Sequence, residues 1–123
     1  MRRMGALLFA AAAALIAWSL AAQVRTARDG KQLFASRCGG CHSLDRDQEG
    51  PRLGGVFGRA AGSLKSFEYS KALKNSGIIW NAATLDRWLA DPGTFVPAND
   101  MNFRVPDPVE RQAIIAYLQH RGR

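Results

Sequence analysis

Apolar positions change rhythm along the chain. From Met4 to Trp18 they run almost unbroken and without charge, in "MGALLFAAAAALIAW". After a polar lead-in, Asp29 is placed to cap a short helix passing through Leu33 and Phe34, with Gly30 small enough to let another helix come close. The stretch "EGPRLGGVFGRAAGS", from Glu49 to Ser63, holds five glycines and a proline and reads as loop. Ser70 to Asn75 predicts a turn or two of helix ended by Gly77. Asn81 starts a better one, with Leu85, Trp88 and Leu89 on one face and a stop at Asp91 imposed by Pro92. "PAND" then returns the chain to loop. The last helix is the clearest: Asp107 as N-cap, Pro108 at the first helical position, Glu110 completing a capping box, and Ile114, Tyr117 and Leu118 as the buried stripe. No strand pattern or repeat emerges, so the expected class is all-α with long glycine-rich loops.

The first stretch has the anatomy of an export signal. "MRR" supplies the positive start, the apolar run the middle, and Ser19 and Ala21 the small residues of a cleavage site, so residues 1–21 are assigned to a signal peptide. The rival is an uncleaved membrane anchor, because Gly5 to Ala22 carries no charge. Residues 22–28 form a linker and 29–120 the domain. Either way the domain is expected in a bacterial periplasm, free or tethered to the inner membrane, where thiols persist only if something occupies them.

Charge and size narrow the function. The chain of 123 residues is 47% hydrophobic and 22% charged, which describes one compact domain and not a disordered tail. Its 17 basic residues, less Arg2 and Arg3 of the leader, stand against 10 acidic ones, a net +5 for the body. They are scattered singly, without interleaved aromatics, which argues against nucleic acid and for weak docking to an acidic surface. Short helices and few aromatics make a thin core, so something further is expected to fill it.

Both cysteines of the chain lie in Cys38-Gly39-Gly40-Cys41-His42. A redox-active C-x-x-C disulfide belongs beside a βαβ unit, which is missing here. A zinc site would lack ligands: there is no second cysteine pair, and His120, the other histidine, lies near the chain end. Coincidence would leave the clustering unexplained. The remaining reading is covalent attachment of one haem c, each thiol adding across a vinyl group, with His42 aimed at the iron. Met101 is the one methionine outside the leader and sits in an irregular loop between Asp100 and Asn102, a poor place to bury a thioether without reason. It is therefore the expected sixth ligand, and His120 a solvent-facing residue. Without a sixth protein ligand the alternative is a five-coordinate haem enzyme or a gas or redox sensor.

The segments "GKQLFASRCGGCH", "GPRLGGVFGRAAGS", "YSKALKNSGIIW", "TLDRWLADPGTFVPANDMNF" and "ERQAIIAYL" occur in an order that resembles class I c-type cytochromes, of the mitochondrial cytochrome c and bacterial cytochrome c2 type, from about Asp29 to Gln119. The resemblance implies the class I cytochrome c fold around one haem. It implies Cys38 and Cys41 as attachment points, His42 as proximal ligand, Pro51 as carbonyl acceptor for the other imidazole nitrogen, and Met101 as distal ligand. Arg59, Tyr69 and Trp80 match positions that bind a buried haem propionate. Gly30, Phe34, Ile114 and Tyr117 match the crossing of the first and last helices.

The implied function is a monomeric electron carrier, not an enzyme. It would take one electron from a bc1-type complex or dehydrogenase and pass it to a terminal oxidase, reductase or photosynthetic centre. The chain departs from the family pattern in places. The loop from His42 to Pro51 is shorter than in mitochondrial members. Trp88 replaces a tyrosine, and Asn99 replaces a threonine and is expected to reach a propionate. Arg37 is kept, but Gly93, Thr94 and Asp100 occupy positions that are often basic.

Overall fold

The computed structural model describes residues 16–19 and 29–121. The signal-peptide and linker assignments over 1–28 lie outside the described residues, apart from an exposed helical turn at 16–19. Among the described residues no helix is long and apolar enough to cross a membrane.

Helical turns over residues 29–33 continue into a wide π-helical turn, Phe34–Cys38, and together form α1. Asp29 is itself within the helix and does not cap it. The wide turn closes when the Gly39 N–H donates to the Phe34 carbonyl at 2.9 Å. It leaves Phe34 and Cys38 buried and Arg37 exposed.

The short α2, Lys71–Lys74, is capped by Ser70, whose hydroxyl accepts from the Leu73 N–H. Next comes α3, Ala82–Ala90, opened by a reciprocal pair. Asn81 Oδ1 accepts from the Thr84 N–H at 2.9 Å, and Thr84 Oγ1 accepts from the Asn81 N–H at 2.8 Å. A cap of this kind contributes about 1 kcal/mol. Leu85, Trp88 and Leu89 are buried, the face expected of them.

At the end of α3, Pro92 forces Asp91 into extended backbone. The same aspartate then caps a further turn, α4, Pro92–Phe95, by accepting from the Thr94 N–H. Pro92 is therefore both a stop and a start: it opens a turn over 92–95 that the sequence pattern did not predict, while 97–100 is loop as expected.

The final helix, α5, spans Pro108–His120 and is capped by Asp107, which accepts from the Val109 N–H at 2.8 Å. Glu110 does not complete a capping box: its carboxylate pairs with Arg37 of α1 at 2.9 Å.

Two helix contacts organise the molecule. α3 packs on α5. α1 crosses α5 so closely that a Cβ built on Gly30 would overlap the Ala113 carbonyl oxygen. Phe34 and Tyr117 pack beside that crossing with their rings tilted and centroids 5.6 Å apart, and Ile114 is fully buried. The described residues contain no strand, only an isolated antiparallel bridge, Ala60 with Ile79. That bridge fastens the glycine-rich loop to the entry of α3.

Candidate functional site

Immediately after the wide turn the chain tightens. The N–H groups of Cys41 and His42 both donate to the Cys38 carbonyl, at 3.1 and 2.8 Å. Both thiols are free, Cys38 buried and Cys41 exposed. Burial, with a smaller contribution from Cys41, pushes the Cys38 thiol up to about 11. The following loop doubles back because the Gly50 N–H donates to the Cys41 carbonyl at 2.8 Å. This brings the Pro51 carbonyl within 2.8 Å of His42 Nδ1.

Burial holds His42 below the usual imidazole range, opposed by that carbonyl. The ring is thus a neutral imidazole with Nδ1–H donated to Pro51, leaving the Nε2 lone pair without a protein partner among the described residues. The ring lies against Gly50, where an added Cβ would collide with Cε1 and stand 2.6 Å from Nδ1. Only glycine leaves the imidazole this seat.

Met101 lies on a different part of the chain. It is half-buried and packs against the same apolar cluster that contains Cys38, so thioether and thiol share one core. Its loop is braced by Asn99, whose Nδ2 donates to the carbonyls of Pro92 at 2.9 Å and Val96 at 2.8 Å. Asn99 Oδ1 accepts from the Met101 N–H at 2.7 Å. Both amide hydrogens of Asn99 are committed inside the loop, so the expectation that it donates to a propionate is replaced by a bracing role. Ala98, next to it, has φ +65°, the left-handed region, which costs an L-residue about 1–2 kcal/mol. At the end of the loop Arg104 pairs back with Asp91, the residue before α4, at 3.1 Å.

The remaining candidates meet at the bridge. The Trp80 N–H donates to the Arg59 carbonyl at 3.0 Å, and the Gly58 N–H donates to the Trp80 carbonyl at 2.8 Å. The Arg59 guanidinium donates to the carbonyls of Arg52 at 2.8 Å and Gly54 at 3.2 Å. No carboxylate among the described residues lies within ion-pair distance of it. A half-buried cation with unused donors favours an anion from outside the chain.

Tyr69 is buried, and burial raises its phenol above the usual range against a lowering by Arg59. The phenol is therefore protonated and able to donate. Trp80 is only 7% exposed, its ring edge-on to Trp88 at 5.5 Å. Its indole N–H has no protein partner among the described residues and reaches accessible space.

The set of donors fits a haem: two uncommitted thiols, an oriented imidazole, a thioether in the same core, and polar groups suited to a carboxylate. Zinc finds no comparable set, because the described residues gather no group of three or more His, Cys, Asp or Glu. The Gly50 seat and the Asn99 brace were missed from the sequence. Glycine beside a proline reads as turn, and an Asn–carbonyl brace has no sequence signature.

Comparison with known proteins agrees with this arrangement. The cytochrome c family profile matches residues 27–122. Cytochrome c of Chlamydomonas reinhardtii is 38% identical over 94 residues, covering 73% of this chain and 84% of that protein. Cytochrome c2 iso-2 of Magnetospirillum fulvum is 41% identical over 85 residues, covering 67% and 88%. Among solved structures, cytochrome cH from Methylobacterium extorquens aligns with a TM-score of 0.72 at 42% identity, covering 76% of this chain and 97% of that one.

Proposed function

The chain belongs to the cytochrome c family, and from that premise we propose that it passes single electrons between protein partners through a haem held by Cys38 and Cys41, with His42 and Met101 as its axial ligands. Family members are electron carriers and not enzymes, they bind covalently attached haem c with its iron, and the helical architecture is the class I cytochrome c fold. When bound, the haem supplies a one-electron ferric/ferrous couple.

The observation that carries the ligand assignment is the 2.8 Å contact between His42 Nδ1 and the Pro51 carbonyl. It fixes the tautomer, so Nε2 is the nitrogen offered to a metal, and it raises the basicity of that nitrogen. Gly50, having no side chain, leaves room for the ring in this orientation. Met101 would supply a second, soft donor to the iron, favouring the reduced state and little change of shape on electron transfer. Arg59, Tyr69 and Trp80 would receive a propionate, whose removal from water costs several kcal/mol unless it is paired and hydrogen-bonded.

The proposed setting is the bacterial periplasm, reached through the leader at 1–21, with the same segment as a membrane tether if it is not removed. The donor would be a bc1-type complex or dehydrogenase and the acceptor a terminal oxidase, reductase or photosynthetic centre. Two arginines, Arg37 and Arg104, are already paired with Glu110 and Asp91, which lowers the free positive charge offered to an acidic partner. Association is accordingly expected to depend weakly on salt.

Met101→Ala tests the assignment. The ferric protein should lose its weak sulfur-to-iron charge-transfer band and turn high-spin. Its potential should fall on the order of hundreds of millivolts, within the ~0.8 V that axial ligands span. An unchanged spectrum would remove Met101 from the iron. Ready CO binding by the reduced wild-type protein, with no such band when oxidised, would favour the enzyme or sensor reading.

A further inference from the structure

The Met101 loop sets a strained joint beside a brace. Ala98 is the one non-glycine residue with positive φ among the described residues. Asn99, its neighbour, makes three hydrogen bonds with one side chain, tying the first residue of α4 (Pro92), the residue that ends it (Val96) and Met101 together. The strain favours releasing the loop, and the brace opposes release at the adjacent residue. From Asn75 to Gln119 the chain has no lysine, histidine or cysteine. The Met101 loop and the helices that flank it up to Gln119 therefore offer a vacated sixth position no replacement imidazole, amine or thiolate.

We propose that Asn99 is a positioning residue that keeps Met101 on the iron against the strain at Ala98, and that the balance between these two neighbours sets how often the sixth position opens to a small ligand from solvent. The inference rests on the reading of Met101 as the distal ligand. It assigns Asn99 a role directed at the thioether and not at a propionate.

The test uses the full haem-loaded protein and imidazole as the probe. Ferric wild type, Asn99→Ala, Asn99→Asp and Ala98→Gly are titrated while the sulfur-to-iron band is followed. Apparent affinity rises with the fraction of molecules whose methionine is off. Asn99→Ala loses all three bonds, each worth a factor of a few, and should bind imidazole about tenfold more tightly or better. Asn99→Asp keeps an acceptor for the Met101 N–H but no donor for Pro92 and Val96, and should fall between. Ala98→Gly removes the strain and should bind about threefold to tenfold more weakly, the opposite sign. Circular dichroism and thermal midpoints report the fold as a whole, and the proposal requires the band and the imidazole affinity to move beyond any change in these.

If Asn99→Ala cannot be obtained loaded with haem, Ala98→Gly decides: weaker binding supports the proposal, while equal or tighter binding overturns it. Wild-type affinities in both variants, with the band abolished in Met101→Ala, would overturn the role of Asn99 alone. A band that survives Met101→Ala would overturn the ligand reading and this proposal with it.

Discussion

The His42 side and the Met101 side of the site are built on opposite plans. Around His42 everything is contiguous: Cys38 to Pro51 folds on itself through short backbone bonds, and one carbonyl and one glycine fix the imidazole. Around Met101, the proposed second ligand, the backbone is an irregular loop in which a single side-chain amide holds the Met101 N–H, next to a residue in left-handed backbone. The first side is anchored covalently wherever the haem is attached, so its geometry need only be oriented. The second is held by bonds worth about 1 kcal/mol each, so its occupancy is conditional. A carrier needs both: one side that never lets go, and one whose tightness can be tuned residue by residue.

The largest effect should come from removing the covalent side. Cys38→Ser with Cys41→Ser should leave protein whose colour, if any, washes out completely in acidified acetone, whereas wild type stays red. Retention of colour by the double variant would break the comparison at its root. The Met101→Ala change described above comes next, since it empties one axial position and leaves attachment intact.

A third change sharpens the contrast on the His42 side. Gly50→Ala drives a Cβ into the imidazole and, as an overpacking substitution, should cost about 1–3 kcal/mol. It should lower the midpoint of denaturant unfolding and shift the reduction potential without loss of covalent haem. If neither quantity moves, the ring is not seated on Gly50.

The smallest effect lies on the Met101 side and is read by pH. The Thr94 backbone N–H first, then the Thr94 hydroxyl and Arg104, hold the Asp91 carboxyl below the usual range. A lowered folded value means the contribution to stability is present above the normal carboxylate pKa and is lost as pH falls through the folded value. The sulfur-to-iron band should therefore weaken on acidification below about pH 4, near the model-peptide value for Asp. Asp91→Asn should flatten that part of the profile and weaken the band slightly at neutral pH. An identical acid profile in the variant would show that Asp91 does not steady this loop.

What could be read from the chain in advance follows the range of each interaction. The C-x-x-C-H attachment text is contiguous, and the caps at Asn81 and Asp107 act within three residues, so both were legible. Met101 stood out because the other two methionines, Met1 and Met4, lie in the first four residues. Arg59, Tyr69, Trp80 and Pro51 carried no signal of their own and came through resemblance. Besides the Gly50 seat, three features escaped. Glu110 fits a local capping box, but Arg37, 73 residues away, offers a charged partner that the N–H of Asp107 cannot match. Pro92 was read as a helix stop, which hid the turn it begins. Asn99 was expected to reach a propionate, as the threonine it replaces would, yet the carbonyls of Pro92 and Val96 claim its amide.

The wide turn at Phe34–Cys38 limits what can be transplanted from this molecule. Each residue of an evenly wound helix advances the side chains by about 100° around the axis. A designer who copies the attachment text onto such a scaffold would bring the first sulfur round to another bearing. To carry the pigment into a new bundle, the swollen coil ahead of it has to travel too.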